Sequence, residues 1–101
     1  LIVSGGENVA SPEVERVLYE HPAVLEAAVV GRPDQRWGEV PVAFVVLREG
    51  MPTRAEELQE FCRTRLARFK VPRDIVLVDS LPRNPSGKVL KRVLRERQAH
   101  P

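Results

Sequence analysis

The residue best suited to chemistry in this sequence is Lys88, which closes the run P-R-N-P-S-G-K at positions 82–88. Pro85 followed by Ser86 and Gly87 predicts a tight turn, because proline fixes φ and glycine permits a positive φ. Apolar residues at helical spacing come next, so we expect the lysine where the turn enters a helix. Its ammonium group is a compact charge with three donors, which suits a carboxylate or phosphate oxygen. The simpler alternative is a solvated lysine at the start of a helix.

A second set of candidate residues stands at the ends of predicted elements: Gly5, Gly6, Trp37, Phe69 and Arg73. An exposed tryptophan in a charged loop can stack on a ligand or cover an apolar one. Trp37 could instead fold back onto the core, and Phe69 could continue the apolar face of a helix. Both alternatives stay open at the level of these residues alone.

Several kinds of site are disfavoured because their motifs are missing. The sequence has neither an HExxH motif nor a Cys/His cluster, so no metal site is expected. The phosphate-binding pattern GxxxxGK[ST] is also absent. Two histidines do not support a Ser-His-Asp triad, and His21, which precedes a proline, is expected in a loop.

The composition predicts one globular domain. The 101 residues are 43% hydrophobic, which allows a buried core and disfavours general disorder. No apolar run approaches the roughly 20 residues that cross a bilayer, and no signal peptide is visible. The single cysteine, Cys62, fits a reducing compartment, so we expect a cytoplasmic protein without a membrane span. Because the chain opens on Leu1, we expect it to be part of something longer.

Charge is distributed unevenly along the chain. Residues 1–50 carry four Lys/Arg and eight Asp/Glu, a net −4, whereas residues 51–101 carry 12 and six, a net +6. The basic half predicts an anionic partner such as a nucleotide, a coenzyme, a nucleic acid or an acidic surface. A solvated helix face is the alternative. Aromatic residues are only 5% and are not interleaved with the basic ones, which disfavours a platform for single-stranded nucleic acid.

Hydrophobic periodicity predicts the elements that must position these residues. Strands are expected at 1–3, 24–30, 40–47 and 75–78, with turns at 4–8 and 31–34. Helices are expected at 11–20, from a Thr53–Glu56 capping box to a close at 69–73, and at 89–97. Ser11 is the expected N-cap of the first helix, and residues 98–101 are expected to fray. This order predicts an α+β fold, with a small mixed sheet of about three strands covered by helices and a short N-terminal β element.

Two predictions of burial follow from the same patterns. Residues 40–47 are almost wholly apolar, which is typical of a central strand covered on both faces. Cys62 shares one helical face with Leu58 and Phe61, so we expect a buried structural thiol.

Four segments, in order and with fitting spacing, resemble successive motifs of the adenylate-forming superfamily. They are S-G-G-E-N-V at 4–9, P-E-V-E at 12–15, D-Q-R-W-G-E at 34–39 and P-R-N-P-S-G-K at 82–88. Over essentially its whole length the chain is similar to the C-terminal lid domain of an acyl- or aryl-CoA ligase.

This resemblance implies that residues 1–101 form a mobile domain of an AMP-forming acyl-CoA synthetase. A large N-terminal domain, absent from this chain, would bind ATP, Mg²⁺ and the carboxylic acid substrate. Lys88 would reach the carboxylate and the α-phosphate while the acyl-adenylate forms. The isolated chain would fold but catalyse nothing.

The resemblance also implies a role in the second half-reaction, in which the CoA thiol displaces AMP. After a rotation of the domain, Gly5 and Gly6 would line the channel for the pantetheine arm, since backbone without Cβ atoms can approach a thin ligand closely. Trp37 would pack along the same path.

The nucleotide end of CoA would contact three further positions. Phe69 matches a residue that can stack on the adenine, and Arg73 falls where a basic residue meets a CoA phosphate. Val71 departs from the pattern, because some relatives carry a second basic residue there; Lys70 is expected to compensate.

Two other interpretations remain at this stage. One is the lid of a different adenylate-forming enzyme, such as a peptide-synthetase adenylation domain or a luciferase; the G-G-E-N and D-Q-R-W-G segments favour the CoA ligases. The other is a free-standing basic module that binds nucleic acid or a protein partner.

Overall fold

The computed structural model describes residues 1–99, which form five strands and three α-helices. In chain order these are β1 (Ile2–Ser4), β2 (Glu7–Val9), α1 (Ser11–Tyr19), β3 (Val24–Asp34), β4 (Gly38–Leu47), α2 (Ala55–Arg63), β5 (Asp74–Leu77) and α3 (Lys91–Ala99). A 3₁₀ turn, Arg68–Lys70, precedes β5. Of the tail expected to fray, residues 98 and 99 are helical and residues 100 and 101 lie outside the described residues.

The sheet is mixed and is built around β4. Strand β3 pairs with β4 in an antiparallel hairpin over almost its full length, and β5 pairs with it in parallel, in the register Val42↔Asp74 to Val45↔Leu77. At its beginning β4 meets β1 at the single pair Ser4↔Gly38, and β2 pairs with β1 outside it. The predicted α+β fold is therefore confirmed, and its short N-terminal β element is a two-stranded hairpin in which residues 7–9, expected within a turn, form the second strand.

Strand β4 is covered on both faces, as its apolar run predicts, and every residue from 40 to 46 is buried. Its side chains alternate between two cores. On one face Ala43 and Val45 pack with residues of α1 and α2, including Val14, Leu18, Leu58 and Cys62. On the other face Val42, Phe44 and Val46 pack with Leu81 and with Leu94 of α3.

Strand β3 continues four residues beyond its predicted end. The expected turn at 31–34 was wrong, because those residues stay in register with β4 as far as the pair Asp34↔Gly38. Pro33 is tolerated there since β3 lies at the edge of the sheet, where a missing N–H costs no ladder hydrogen bond. The extension places the β3–β4 turn, with Trp37, at the far end of the hairpin.

The first helix differs from its prediction only at its start. Ser11 is already inside α1, and Ala10 occupies the N-cap position without any side-chain hydrogen bond. The expected end near Glu20 is confirmed, since α1 stops at Tyr19.

The second helix lacks the predicted capping box. Arg54 is its N-cap residue and makes no side-chain cap hydrogen bond, and the Thr53 hydroxyl donates to the carboxylate of Glu57 instead of accepting a backbone N–H of the helix. Cys62 is buried as expected, and burial raises the pKa of its thiol to about 11. The thiol therefore stays protonated and inert at neutral pH.

Candidate functional site

Lys88 lies in a small hairpin made by residues 82–90. The Leu90 N–H donates to the Pro82 carbonyl at 2.8 Å, and the Asn84 N–H donates to the carbonyl of Lys88 at 3.0 Å. Because these bonds hold residue 89 opposite residue 83 in a bridge, α3 cannot begin until Lys91. The expected helix start at residue 89 was therefore wrong, and the lysine stands in a hairpin arm rather than at a helix entrance.

Asn84 organises the turn of this hairpin. Its side-chain oxygen accepts hydrogen bonds from the N–H of Lys88 at 2.9 Å, the N–H of Ser86 at 3.1 Å and the Ser86 hydroxyl at 2.7 Å. Gly87 takes a φ of +90°, as the predicted turn requires. Asn84 was not among the predicted site residues, although an asparagine before P-S-G is a typical signal of such a side-chain-closed turn.

Arg83 fastens the hairpin to the sheet. Its guanidinium donates to the Gly87 carbonyl at 2.6 Å and to the carboxylate of Glu26 on β3. The backbone of Lys88 is thus held at both ends, while its side chain is exposed and has no acidic partner within 4.0 Å among residues 1–99. A groove of about 780 Å³ between α1 and α3 begins beside it.

A second groove, of about 590 Å³, lies at the tip of the β3–β4 hairpin. It brings together four predicted residues, which are Gly5, Trp37, Phe69 and Arg73. Two arginines that sequence reasoning missed, Arg36 and Arg68, also line it. We refer to this feature as the aromatic groove.

Gly5 and Trp37 form one unit within the aromatic groove. The Gly5 N–H donates to the Trp37 carbonyl at 2.8 Å, and the glycine adopts a φ of +58°. A Cβ atom on Gly5 would lie 2.7 Å from the indole Cε3 atom, so both the backbone angle and the ring demand glycine here. The indole stays 38% exposed, and it therefore lines the groove rather than folding onto the core.

Phe69 fits both roles that its sequence position allows, that of a core residue and that of a residue in contact with a ligand. It is partly buried against the core and also lines the aromatic groove. Gly6 and Lys70 do not line it. The position of a Cβ on Gly6 has no atom within 4 Å. The ammonium of Lys70 lies 2.9 Å from the carboxylate of Glu13 on α1.

Asp34 holds the Trp37 loop in place. One oxygen of its carboxylate accepts the N–H groups of Arg36 and Trp37, each at 2.9 Å. The hydrogen bond from Trp37, joined by that from Arg36 and by the charges of Arg73 and Arg32, holds the pKa of Asp34 below its ordinary value of 3.8. The charged carboxylate is therefore the form that fits the folded loop.

We expect the Trp37 loop to loosen in acid. A folded-state pKa below 3.8 means that Asp34 stabilises the loop above that pH and loses its contribution as the pH falls through the folded-state pKa. As the pH is lowered from neutrality into the acid transition, the fluorescence emission of the single tryptophan should change. Asp34→Asn keeps an acceptor oxygen but cannot titrate, so an unchanged acid profile in that variant would contradict the role of Asp34.

The Lys88 hairpin and the aromatic groove occupy opposite ends of the β3–β4 hairpin. Arg83 is anchored at Glu26, whereas Trp37 follows Asp34, eight strand residues further along. At about 3.4 Å per residue, these anchor points are roughly 27 Å apart. The two features therefore lie towards different ends of the same hairpin.

Within residues 1–99, no group of three or more His, Cys, Asp or Glu side chains is arranged to hold a metal ion. No helix in the same range is both long enough and apolar enough to cross a membrane.

Comparison with known proteins adds independent information. Residues 13–88 match the family model described as AMP-binding enzyme C-terminal domain. The chain is 52% identical over 99 residues to 2-methylpropanoate–CoA ligase of Humulus lupulus, covering 95% of this chain and 18% of that protein. It is 48% identical over 99 residues to 2-succinylbenzoate–CoA ligase of Listeria monocytogenes, covering 98% and 21%.

Among solved structures, ATP-bound MatB from Rhodopseudomonas palustris superposes with a TM-score of 0.93 at 39% identity, covering 96% of this chain and 19% of that one. The chain thus spans about a fifth of the length of the relatives it matches.

Proposed function

Because this chain belongs to the AMP-binding enzyme C-terminal domain family, we propose that it is the mobile C-terminal domain of an ATP-dependent acid–CoA ligase. The complete enzyme first joins a carboxylic acid to AMP, with release of pyrophosphate. It then transfers the acyl group from the adenylate to the thiol of CoA. The observation that carries the proposal is the separation of a clamped, exposed lysine from an aromatic, arginine-lined groove.

Lys88 serves the first half-reaction. A carboxylate oxygen attacks the α-phosphorus of ATP, and negative charge shifts toward the leaving pyrophosphate. An ammonium group already positioned there stabilises that charge without reorganisation at the moment of reaction. The hydrogen bonds of Asn84 to the backbone around Lys88 support this role, because they fix the root of a long side chain.

The aromatic groove serves the second half-reaction. Gly5 and Trp37 flank the path of the pantetheine arm, with Gly6 next in the chain outside the groove wall, while Phe69 stacks on the adenine and Arg73 pairs with phosphate. The CoA thiol gives up its proton to solvent as its sulfur attacks the acyl carbon, and AMP leaves with the electron pair of the broken carbon–oxygen bond. The contact of Gly5 with the indole favours this role, because it presents Trp37 as a rigid, half-exposed wall.

The distance between the two features supports a rotation between the half-reactions. Anchor points roughly 27 Å apart along a strand favour two orientations of this domain on the same N-terminal domain. ATP with its Mg²⁺, and the carboxylic acid, would bind to that N-terminal domain. The CoA-ligase names of the relatives favour this assignment over a peptide-synthetase or luciferase lid.

Removing the indole should separate the two steps. In the intact ligase, Trp37→Ala is expected to lower kcat/KM for CoA by about 10- to 100-fold, the loss of roughly 1.5–3 kcal/mol of apolar packing. Adenylate formation, followed by pyrophosphate release, should be unchanged. An equal loss in both half-reactions would count against the groove as a coenzyme site, and the 101-residue chain alone should show no turnover in either assay.

A further inference from the structure

We propose that Arg68 supplies, beside Arg73, the second cation for the phosphate groups of CoA in the aromatic groove. This inference rests on the proposed coenzyme role of the aromatic groove and specifies how its nucleotide end is held.

The geometry of the 3₁₀ turn Arg68–Lys70 directs Arg68 toward the groove. A 3₁₀ helix has about three residues per turn, so neighbouring side chains point in different directions and residues i and i+3 are eclipsed. Arg68 and Val71 stand in that relation, at the start of the turn and at its C-cap, and both line the aromatic groove. The side chains of residues 68 and 71 therefore share the face of the turn that lines the aromatic groove.

The same geometry directs Lys70 elsewhere. Its ammonium group is 2.9 Å from one carboxylate oxygen of Glu13 and 3.2 Å from the other. Its side chain is only 24% exposed and is not part of the groove wall. A phosphate in the groove would have to break this ion pair to recruit Lys70, whereas Arg68 is exposed.

The charged side chains that line the aromatic groove also favour an anionic ligand. The groove is lined by three arginines, Arg36, Arg68 and Arg73, against one acid, Glu7. Among the described residues, neither Arg68 nor Arg73 has a carboxylate within 4.0 Å, while the Arg36 guanidinium carbon lies 4.8 Å from the centre of the Trp37 ring. Arg73 also acts on the Asp34 carboxylate at longer range, so Arg68 is the guanidinium that is freer to bind. Two guanidiniums beside Phe69 without a salt bridge suit a purine nucleotide that carries several phosphates, because arginine binds phosphate in a bidentate fashion.

The test is a titration of the 101-residue chain with adenosine 3′,5′-bisphosphate, the nucleotide end of CoA lacking the pantetheine arm. Binding is followed through emission of the single tryptophan, Trp37, at low ionic strength so that screening stays weak. Arg68→Gln is expected to weaken the affinity about tenfold, the usual scale for one hydrogen bond to a charged group. Adding Val71→Arg to that variant should restore most of the loss.

Three comparisons make the result specific. Adenosine without phosphates should bind the Arg68→Gln variant and the unaltered chain equally. Arg48→Gln, an exposed arginine in neither groove, controls for net charge. Lys70→Gln should weaken the bisphosphate far less than Arg68→Gln does, and an equal or larger effect would overturn the proposal.

Failure of this inference can be told apart from failure of the proposed function. If the bisphosphate binds and Arg68→Gln changes nothing, Arg68 is not a phosphate ligand and the coenzyme groove stands. If neither CoA nor the bisphosphate alters Trp37 emission at any concentration, the groove is not a coenzyme site and both are overturned.

Discussion

Replacing Lys88 with alanine in the intact ligase should slow adenylate formation by about 10²–10³-fold, the effect of removing one preorganised donor from a developing charge. Thioester formation from a supplied acyl-adenylate and CoA should proceed at the unaltered rate. The difference is expected because the Lys88 hairpin and the aromatic groove lie at opposite ends of the β3–β4 hairpin. Only one of them can stand at the reacting centre at a time.

Lys91→Ala provides the matched control. That lysine lies three residues further along and is paired with Glu15 at 2.7 Å, so its removal changes the net charge equally without touching Lys88. Both half-reactions should survive in the control. If Lys88→Ala spares adenylate formation, Lys88 is an ordinary surface lysine, and if both steps fall together its effect is structural.

Truncating Leu94 should cause a large loss of stability at a residue outside both candidate sites. Leu94 is fully buried against Phe44 and Leu81, and Leu→Ala at such positions costs about 2–5 kcal/mol of unfolding free energy. Whole domains are stable by only about 5–15 kcal/mol. Leu94 is the only fully buried side chain within the described part of α3, and a helix of nine residues is not stable by itself.

Leu94→Ala should loosen the neighbouring segments as well as lower the unfolding free energy of the whole domain. Val89 of the Lys88 hairpin packs against the same core as Leu94, so amide exchange in residues 82–90 should accelerate along with that in α3. Urea unfolding of the chain measures the global cost. Leu25→Ala, at a side chain that is 43% exposed on β3, is the control; a similar cost for both would show that α3 is not anchored by Leu94.

The accuracy of the sequence-based predictions depended on the range of the interactions involved. The central strand β4, the burial of Cys62 and the turn at residues 85–87 were all predictable, because each depends on its own composition or on neighbours within one turn. The end of β3 was not predictable from its own residues, because its last four residues are held in the sheet by pairing with β4. The start of α3 was missed for the same reason, since cross-hairpin bonds between residues 82–84 and 88–90 compete with the helix.

The order of four short motifs was enough, by itself, to determine the family of this protein, and the run P-R-N-P-S-G-K at 82–88 marked Lys88 as its candidate for chemistry, a role that stays a prediction. Tertiary structure decided which residues meet. The contact of Gly5 with Trp37, the pairing of Lys70 with Glu13 and the anchoring of Arg83 at Glu26 each join segments at least 32 residues apart. Periodicity and turn chemistry report only on neighbours a few residues away, so no local pattern could show that Arg68 faces the groove while Lys70 faces α1.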